Sequence, residues 1–388
     1  MLINQIKLQN VLSFGPDAQE LELKPLNVLI GPNGSGKSNL IEAIGLLRAA
    51  ASDLTKPIVD GGGVSNWIWK GEPEVSSACI EVVLANTKRP QALRHSLTFA
   101  ERGQRFELTH EKIENEEAYA GHAQPYIYFD LQHGRATLNF KDETNRQLQR
   151  EDLDPEQSVL TQRRDPDHYP ELTWLGDTYR RIRLYREWSF GRNTPPRIPQ
   201  DAALPNDFLI EGGQNLGLML NRLKSEPKAK SKFMNALRQL YEDVNDFDVV
   251  IEGGTVQVIL QERNIIVPSI RLSDGTLRYL SLLAILCHPK PPPFICLEEP
   301  ELGLHPDILP GLAELLRDAS DRCQLIVTTH SDVLVDALTD TPESIVVCEK
   351  HDGQTKIKRL DKANMEHWLE KYRLGELWTS GELGGNRW

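Results

Sequence analysis

Residues 27–38, with the sequence Asn27-Val28-Leu29-Ile30-Gly31-Pro32-Asn33-Gly34-Ser35-Gly36-Lys37-Ser38, decide the fold of this 388-residue chain. An apolar run predicts a short buried strand, and the turn that follows matches the phosphate-loop pattern G-x-x-x-x-G-K-[ST]. Apolar residues then recur at helical spacing from Leu40 to Leu47. A glycine-rich turn at a helix N-terminus points backbone N–H groups at an anion. The stretch therefore predicts a site for nucleotide phosphates.

The residue types of this turn fit a nucleoside triphosphate with its metal ion. Glycine lets the backbone take conformations closed to other residues and approach an anion closely. We expect Lys37 to contact the terminal phosphates of ATP as a catalytic residue, and the Ser38 hydroxyl to ligate Mg²⁺. The predicted nucleotide contacts are Asn33, Gly34, Ser35, Gly36, Lys37, Ser38 and Asn39.

Composition narrows the class of protein. The formal net charge of −12 argues against a surface that binds nucleic acid over its whole area. Five dispersed cysteines without a C-x-x-C pair fit a reducing compartment. The N-terminus is too short and polar for a signal peptide, and no apolar run is long enough to span a bilayer. We expect a cytoplasmic protein without a membrane partner.

The first 150 residues predict a β-rich lobe around the phosphate loop. Residues 2–12 and 20–23 are expected to form an antiparallel pair. Between them, Ser13 and Phe14 either contact a bound base or belong to the core. Four glutamates within 111–117 indicate a solvated loop or helix start rather than a metal site. Further strands, arranged as an antiparallel meander, are predicted at 77–86, 94–100, 104–110 and 125–131.

Residues 151–264 differ in character from the first lobe. Between 161 and 200, eight arginines stand against five acids and alternate with aromatic residues. This mixture suits contacts to DNA over Arg163–Arg197, and a solvated helix face with internal ion pairs explains it equally well. No heptad pattern persists, which excludes a long coiled-coil arm. Helices are predicted at 214–224 and 230–243, and strands at 247–252, 255–262 and 264–268.

Paired carboxylates follow a second apolar strand, Phe294–Leu297. A buried parallel strand delivers the acids at its carboxyl end, the layout of a Walker-B strand. We assign Glu298 to Mg²⁺, and Glu299 to orienting or deprotonating the attacking water. The next buried strand ends in His330, which is predicted to reach the γ-phosphate. A helix at 308–318 should separate these strands, and a last strand at 344–348 should close the sheet.

In their order along the chain, four motifs resemble those of ABC-type ATPases. They are Gly31–Ser38, Leu272–Thr276, Leu297–Pro300 with the residues up to Pro306, and Thr328–Asp332. The resemblance is strongest to the RecF/SMC-like branch and to bacterial ATPases related to the overcoming-lysogenization-defect (OLD) proteins. It implies an α/β ABC-ATPase head with an antiparallel β lobe and an α/β insertion. The expected segments are 1–150, 151–264, 265–350 and a tail at 351–388.

The resemblance also implies roles for individual residues. Ser273, Asp274 and Gly275 would form the signature motif, which binds the γ-phosphate held by a partner subunit, so that two heads enclose two ATP molecules. Leu304 and His305 would occupy the D-loop, and His330 would be the switch histidine. Many relatives have aspartate at the position of Glu298 and glycine at the position of Asp274. The Q-loop glutamine is Gln157 or Gln162.

Two functions fit these motifs. A transporter subunit is disfavoured because Ser273 stands far from Lys37, and a cohesion machine is disfavoured because coiled-coil arms are absent. The chain is then expected to be the dimeric switch of an antiphage or DNA-surveillance system, acting on a separate effector protein. The alternative is a RecF-like DNA-repair ATPase without an effector. The tail, with Trp378 and Trp388, either docks a partner or folds back over its own head.

Overall fold

The computed structural model describes residues 2–72, 74–85, 91–132, 134–139, 145–148 and 153–385. Its internal contacts group the chain into two compact units. Unit 1 comprises Met1–Ile182, Val346–Leu360 and Leu383–Trp388, and unit 2 comprises Arg183–Ile345 and Asp361–Glu382. The four segments expected from the sequence stay a prediction.

Unit 1 contains an antiparallel sheet in the strand order β2-β1-β4-β5-β6-β7-β8-β9. Strands β4 to β9 each pair antiparallel with the next strand along the chain, so this part of the predicted meander is confirmed. The predicted partner of the first strand also pairs with it, since Ile6 lies opposite Leu21. The strands are β1 (Ile3–Gln9), β2 (Gln19–Glu22), β4 (Ser77–Leu84), β5 (Leu93–Arg102), β6 (Arg105–Asn115), β7 (Ile127–Gln132), β8 (Arg135–Asn139) and β9 (Asn145–Leu148).

The acidic stretch 111–117 was predicted to be a solvated loop or helix start, and this is wrong for its first half. Strand β6 continues to Asn115, and Glu111 is fully buried. Its carboxylate accepts hydrogen bonds from the Val159 N–H at 2.9 Å and the Ser158 hydroxyl, and lies 3.1 Å from His95 Nε2. Buried charges need such partners, which lie far from Glu111 in sequence.

Among the described residues, the remaining elements of unit 1 are the strand before the phosphate loop, two further strands of its sheet, and five helices. Strand β3 (Leu26–Ile30) is buried at every position and lies next to β17 (Ile345–His351). Strand β18 (Gln354–Arg359) pairs antiparallel with β17, so the strand predicted at 344–348 is not the last one. The helices are α1 (Lys37–Ala49), α2 (Thr55–Asp60), α3 (Val64–Trp67), α4 (Val159–Gln162) and α5 (Pro170–Arg180).

In unit 2, the predicted site residues Glu298 and Glu299 lie at the end of the middle one of three neighbouring strands. These strands are β10 (Ile182–Tyr185), β15 (Phe294–Glu298) and β16 (Gln324–Thr328), in that order. Strands β15 and β16 are parallel, with Glu298 opposite Thr328, because helix α9 (Leu309–Ser320) returns the chain between them. Helix α8 (Asp274–Leu286) precedes β15 and is buried from Leu277 onward. The short helix α10 (Asp332–Asp336) follows β16.

A smaller antiparallel sheet completes unit 2, and its elements lie close to their predicted places. It consists of β11 (Gln200–Asp201), β12 (Val244–Glu252), β13 (Thr255–Glu262) and β14 (Ile265–Pro268). Helices α6 (Leu216–Lys224) and α7 (Pro227–Leu240) precede these last three strands. At 14 residues, α7 is the longest helix of the described ranges, which contain no coiled-coil arm.

The C-terminal segment contains α11 (Lys362–Leu369) and α12 (Leu374–Thr379). Leu374, Leu377 and Trp378 are buried, and the Leu374 N–H donates to Thr339 Oγ1 at 3.1 Å. Helix α12 thus folds back on its own unit, whereas α11 has no buried residue; Trp388 lies outside the described residues. Across the part of the chain that the structure describes, every helix is too short or too polar to cross a membrane.

Candidate functional site

The phosphate loop connects β3 to α1 through three glycines with positive φ. These are Gly31 (145°), Gly34 (80°) and Gly36 (99°). A Cβ atom on Gly31 would overlap the Cys348 carbonyl oxygen, and one on Gly36 would overlap the Thr355 hydroxyl. Glycine is therefore required at both positions by conformation and by space. Asn33 and Gly34 are exposed at the tip of the loop.

The polar atoms of the loop fit a polyphosphate. Lys37 begins α1, and its ammonium group donates to the carbonyls of Gly31 at 2.7 Å and Pro32 at 3.1 Å. The Ser35 hydroxyl is buried and has no hydrogen-bond partner among the described residues. A buried hydroxyl without a partner costs free energy that a phosphate oxygen would recover. Together with the helix N-terminus, these groups suit ATP, and the Ser38 hydroxyl is a suitable oxygen ligand for Mg²⁺.

A polar cluster supports this loop from β18. The Thr355 hydroxyl lies 2.6 Å from Ser13 Oγ and 3.0 Å from the Ser35 carbonyl oxygen. Asn39, predicted to contact the nucleotide, donates to Ser13 Oγ at 2.7 Å. Phe14 is fully buried, which favours the core reading of that residue. Sequence reasoning missed Thr355 because only the pairing of β17 with β18 brings it near the loop.

In unit 2, the predicted metal ligand Glu298 ends β15. Its Oε2 accepts a hydrogen bond from Arg186 Nε at 3.0 Å, and its carbonyl accepts one from Trp188 Nε1 at 3.2 Å. The side chain is 16% exposed, so the guanidinium neutralises a largely buried carboxylate. A carboxylate at this position suits Mg²⁺, which prefers hard oxygen ligands.

Glu299 and His330 lie close to each other. Glu299 has φ of 46°, a conformation that costs free energy for a residue with a side chain. Its N–H donates to the Thr328 carbonyl at 3.0 Å, and its carbonyl accepts from Arg278 Nη1 at 3.1 Å. This turn places Glu299 Oε1 3.5 Å from His330 Nε2. Two of the predicted catalytic residues are thus adjacent in unit 2.

Arg278 is the cation beneath this turn. Its guanidinium lies 5.4 Å from the centre of the Trp188 ring and 5.8 Å from that of Phe190, within the range of cation–π attraction. Burial lowers the pKa of Arg278, while the nearby Glu301 and Glu299 carboxylates act in the opposite direction. The group stays charged, because the ordinary pKa of arginine is far above neutrality.

The predicted signature residues form the start of α8. The Ser273 hydroxyl caps this helix by accepting the Thr276 N–H at 3.0 Å. Ser273 and Asp274 are exposed, and a Cβ on Gly275 would lie 2.7 Å from the Gly303 carbonyl oxygen. The signature turn therefore contacts the loop that follows Pro300. In that loop His305, a predicted D-loop residue, is exposed and accepts the Asp307 N–H at 3.3 Å.

Arg197 holds the signature turn in place and was missed from the sequence. Its guanidinium donates to the carbonyls of Ile270 and Leu272, to the Phe190 carbonyl and to the Asp274 carboxylate. The side chain is 8% exposed. Arg197 was grouped with arginines predicted to contact DNA, and that interpretation is wrong for this residue because its donors are engaged inside the protein.

Other arginines of 161–200 also have partners in the protein. Arg180 and Arg164 pair with Asp177 at 2.9 and 3.2 Å, and Arg186 pairs with Glu298. Arg183 stacks over the Phe208 ring at 3.6 Å. Arg181 and Arg192 are exposed. Ion pairs thus engage Arg164, Arg180, Arg186 and Arg197, and a DNA contact stays a prediction.

Both Q-loop candidates belong to one local turn. Gln157 accepts the Leu54 N–H at 3.1 Å and donates to Asp53 Oδ1 at 2.9 Å. Gln162 accepts the Asp154 N–H at 2.7 Å. Neither contact identifies the Q-loop residue, which stays open. The described residues contain no cluster of three or more His, Cys, Asp or Glu side chains placed to hold a metal ion.

Comparisons with known proteins give a family match and similar folds. A family model described as "AAA domain, putative AbiEii toxin, Type IV TA system" matches residues 26–336. Comparison with curated protein sequences gives no match.

Among solved structures, one similar fold is an SMC head bound to the C-terminal winged-helix domain of ScpA, with 15% sequence identity and a TM-score of 0.60. The comparison covers 94% of this chain and 99% of that chain. SMC heads from Pyrococcus furiosus and Pyrococcus yayanosii are 15% and 11% identical, with TM-scores of 0.58 and 0.56; each comparison covers 95% of this chain and 99% of that chain. At these identities the likeness shows the fold, and the predicted ABC-ATPase head is confirmed.

Proposed function

Because the chain belongs to the family described as AAA domain, putative AbiEii toxin, Type IV TA system, we propose that it binds and hydrolyses ATP as a dimeric switch for a separate effector protein. The family and the SMC-head fold support an ATPase of the AAA/ABC type. Beyond ATPase activity, the proposal adds a separate effector, a dimer, and a role in antiphage defence or DNA surveillance.

The proposed hydrolysis of ATP is supported by the short distance between Glu299 and His330. A carboxylate within 3.5 Å of an imidazole, on a turn held by Thr328 and Arg278, forms a fixed acceptor for the proton of an attacking water. Lys37 and the N–H groups from Asn33 to Asn39 would hold the phosphates. Ser38 and Glu298 would hold Mg²⁺, which supplies positive charge to the phosphate oxygens.

The proposed dimerisation around ATP is supported by the exposure of the signature turn. Ser273 and Asp274 face solvent at the N-terminus of α8, where a helix stabilises an anion. Their own unit leaves them open to a phosphate carried by a second copy of the chain. Arg197 donates to the Leu272 carbonyl and to the Asp274 carboxylate, which fixes the turn within its own unit.

Two observations support a separate protein partner. One of the SMC heads of similar fold is bound, in its solved structure, to a domain of ScpA. In this chain, α11 buries no residue, and the neighbouring rings of Trp368 in α11 and of Tyr372 after it are exposed. The effector would be a nuclease or toxin encoded as another chain.

A pull-down of Glu299→Gln from its native cells, with ATP and Mg²⁺, tests the effector. The amide keeps the shape of the side chain but cannot accept the water's proton, so the ATP-bound form should accumulate. We expect a stoichiometric second protein, absent when Lys37→Ala is the bait. Recovery of nucleic acid alone, lost as salt is raised, would contradict the switch and support the RecF-like alternative through residues such as Arg181 and Arg192.

A further inference from the structure

Glu301 is a buried carboxylate to which neither the motifs nor the proposed function gives a role. It lies in the turn after β15 and is 9% exposed. Its Oε1 accepts hydrogen bonds from the Thr329 hydroxyl at 2.7 Å and from the His330 N–H at 2.9 Å. Glu301 therefore holds the main chain of the residue predicted to reach the γ-phosphate.

The other carboxylate oxygen of Glu301 costs free energy in this arrangement. Oε2 is buried and has no hydrogen-bond partner among the described residues. Burial raises the pKa of the Glu301 carboxyl, while the bonds from Thr329 and His330 favour its charged form. A neutral side chain would fill the space at lower cost if filling space were the only requirement.

Both Glu299 and Glu301 join the turn at 299–301 to the turn at 328–330. The Glu299 N–H bonds to the Thr328 carbonyl, Glu299 Oε1 lies 3.5 Å from His330 Nε2, and Glu301 binds both Thr329 and His330. Of these, the bond from the His330 N–H to Glu301 acts directly on the main chain of His330. Glu301 therefore constrains one side of the contact between Glu299 and His330.

We propose that Glu301 is a positioning residue that fixes the His330 main chain and thereby sets the contact between His330 and Glu299. Its effect on turnover rests on the proposed function, whereas its effect on the position of His330 does not. Displacement of a group by about 1 Å can slow catalysis about 100-fold, so a residue of this kind acts strongly without touching substrate.

The test compares Glu301→Ala and Glu301→Gln with Glu314→Ala, which removes an exposed glutamate of α9. The imidazole resonance of His330, assigned with His330→Gln among ten histidines, is recorded by NMR in the nucleotide-free protein. We expect Glu301→Ala to shift it, and Glu301→Gln to stay near wild type, because the amide oxygen still accepts both hydrogen bonds. The control should not shift it.

Turnover provides the second readout. Glu301→Ala should lower kcat about 10- to 100-fold with little change in KM for ATP, and Glu301→Gln should restore most of it. If Glu301→Ala does not fold, Thr329→Val, which removes one donor, should still shift the His330 resonance. An unmoved resonance in the folded variant would overturn the proposal. A wild-type chain without ATPase activity would overturn the proposed function, and the resonance would still decide the role of Glu301.

Discussion

At the scale of single residues, the charges of unit 2 are arranged in pairs that the sequence alone does not show. Arg186 neutralises Glu298, Arg197 holds the signature turn, and Glu301 holds His330. Each pair joins residues that lie far apart in the chain, up to 112 positions in the case of Arg186 and Glu298. Local patterns predicted Glu298, Glu299 and His330 as site residues, because strand ends carry a sequence signal.

The Arg186–Glu298 pair predicts a change in Mg²⁺ affinity. Replacing Arg186 by glutamine removes the cation that competes for the Glu298 carboxylate. We expect Mg²⁺ to bind about fivefold more tightly, which corresponds to about 1 kcal/mol for a partly exposed pair. Calorimetric titration with Mg²⁺ in the presence of a non-hydrolysable ATP analogue measures it, with Arg181→Gln as the control. Unchanged or weaker binding in Arg186→Gln would show that Glu298 does not ligate the metal.

The raised pKa of Glu301 predicts a pH-dependent difference between wild type and Glu301→Gln. In the folded protein, burial favours the protonated carboxyl, so the native state binds more protons than the unfolded state between the two pKa values. As pH rises through that interval, wild type loses stability that the glutamine variant does not lose. Urea unfolding from pH 4 upward should show the free-energy difference moving in favour of Glu301→Gln. A constant difference would contradict the burial of charge at this position.

At the scale of elements, the phosphate loop and the two parallel strands were predictable, and the supporting contacts were not. Strands β3, β15 and β16 each contain an unbroken run of three or four apolar residues, and the predicted site residues lie at or after their ends. Strand β18 was not recognised, although its residue Thr355 lies against the phosphate loop. Its polar sequence, Gln354–Arg359, carries no core pattern; pairing with β17 forms it.

The N-terminus of α8 predicts a separable effect of Ser273→Ala. The serine caps the helix, so its loss should cost about 1 kcal/mol of stability. If the signature turn binds phosphate carried by a second copy, dimerisation with ATP should weaken much more than ATP binding to the single chain. Asp361→Ala removes the cap of the exposed helix α11 and should lower only stability. Equal loss of ATP binding and dimerisation in Ser273→Ala would refute the contact between copies.

At the scale of the whole molecule, the sequence predicts the class of fold better than the biological role. Four ordered motifs led to an α/β ABC-ATPase head, which the family and the SMC-head structures confirm. What the proposed switch controls would depend on exposed surfaces, such as the rings of Trp368 and Tyr372, which follow no motif. Such surfaces are determined by the partners that bind them, so the pattern of a single sequence does not predict their function.

In the proposed function, Glu299 acts on water during ATP hydrolysis, and ATP joins two copies of the chain. The most direct measurement follows Glu299→Gln and wild type with ATP and Mg²⁺, by phosphate release and by light scattering for molar mass. We predict that the variant binds ATP, releases phosphate at least about 100-fold more slowly, and accumulates as a dimer. Phosphate release by Glu299→Gln at the wild-type rate, or a variant that binds ATP and stays monomeric, would contradict the account.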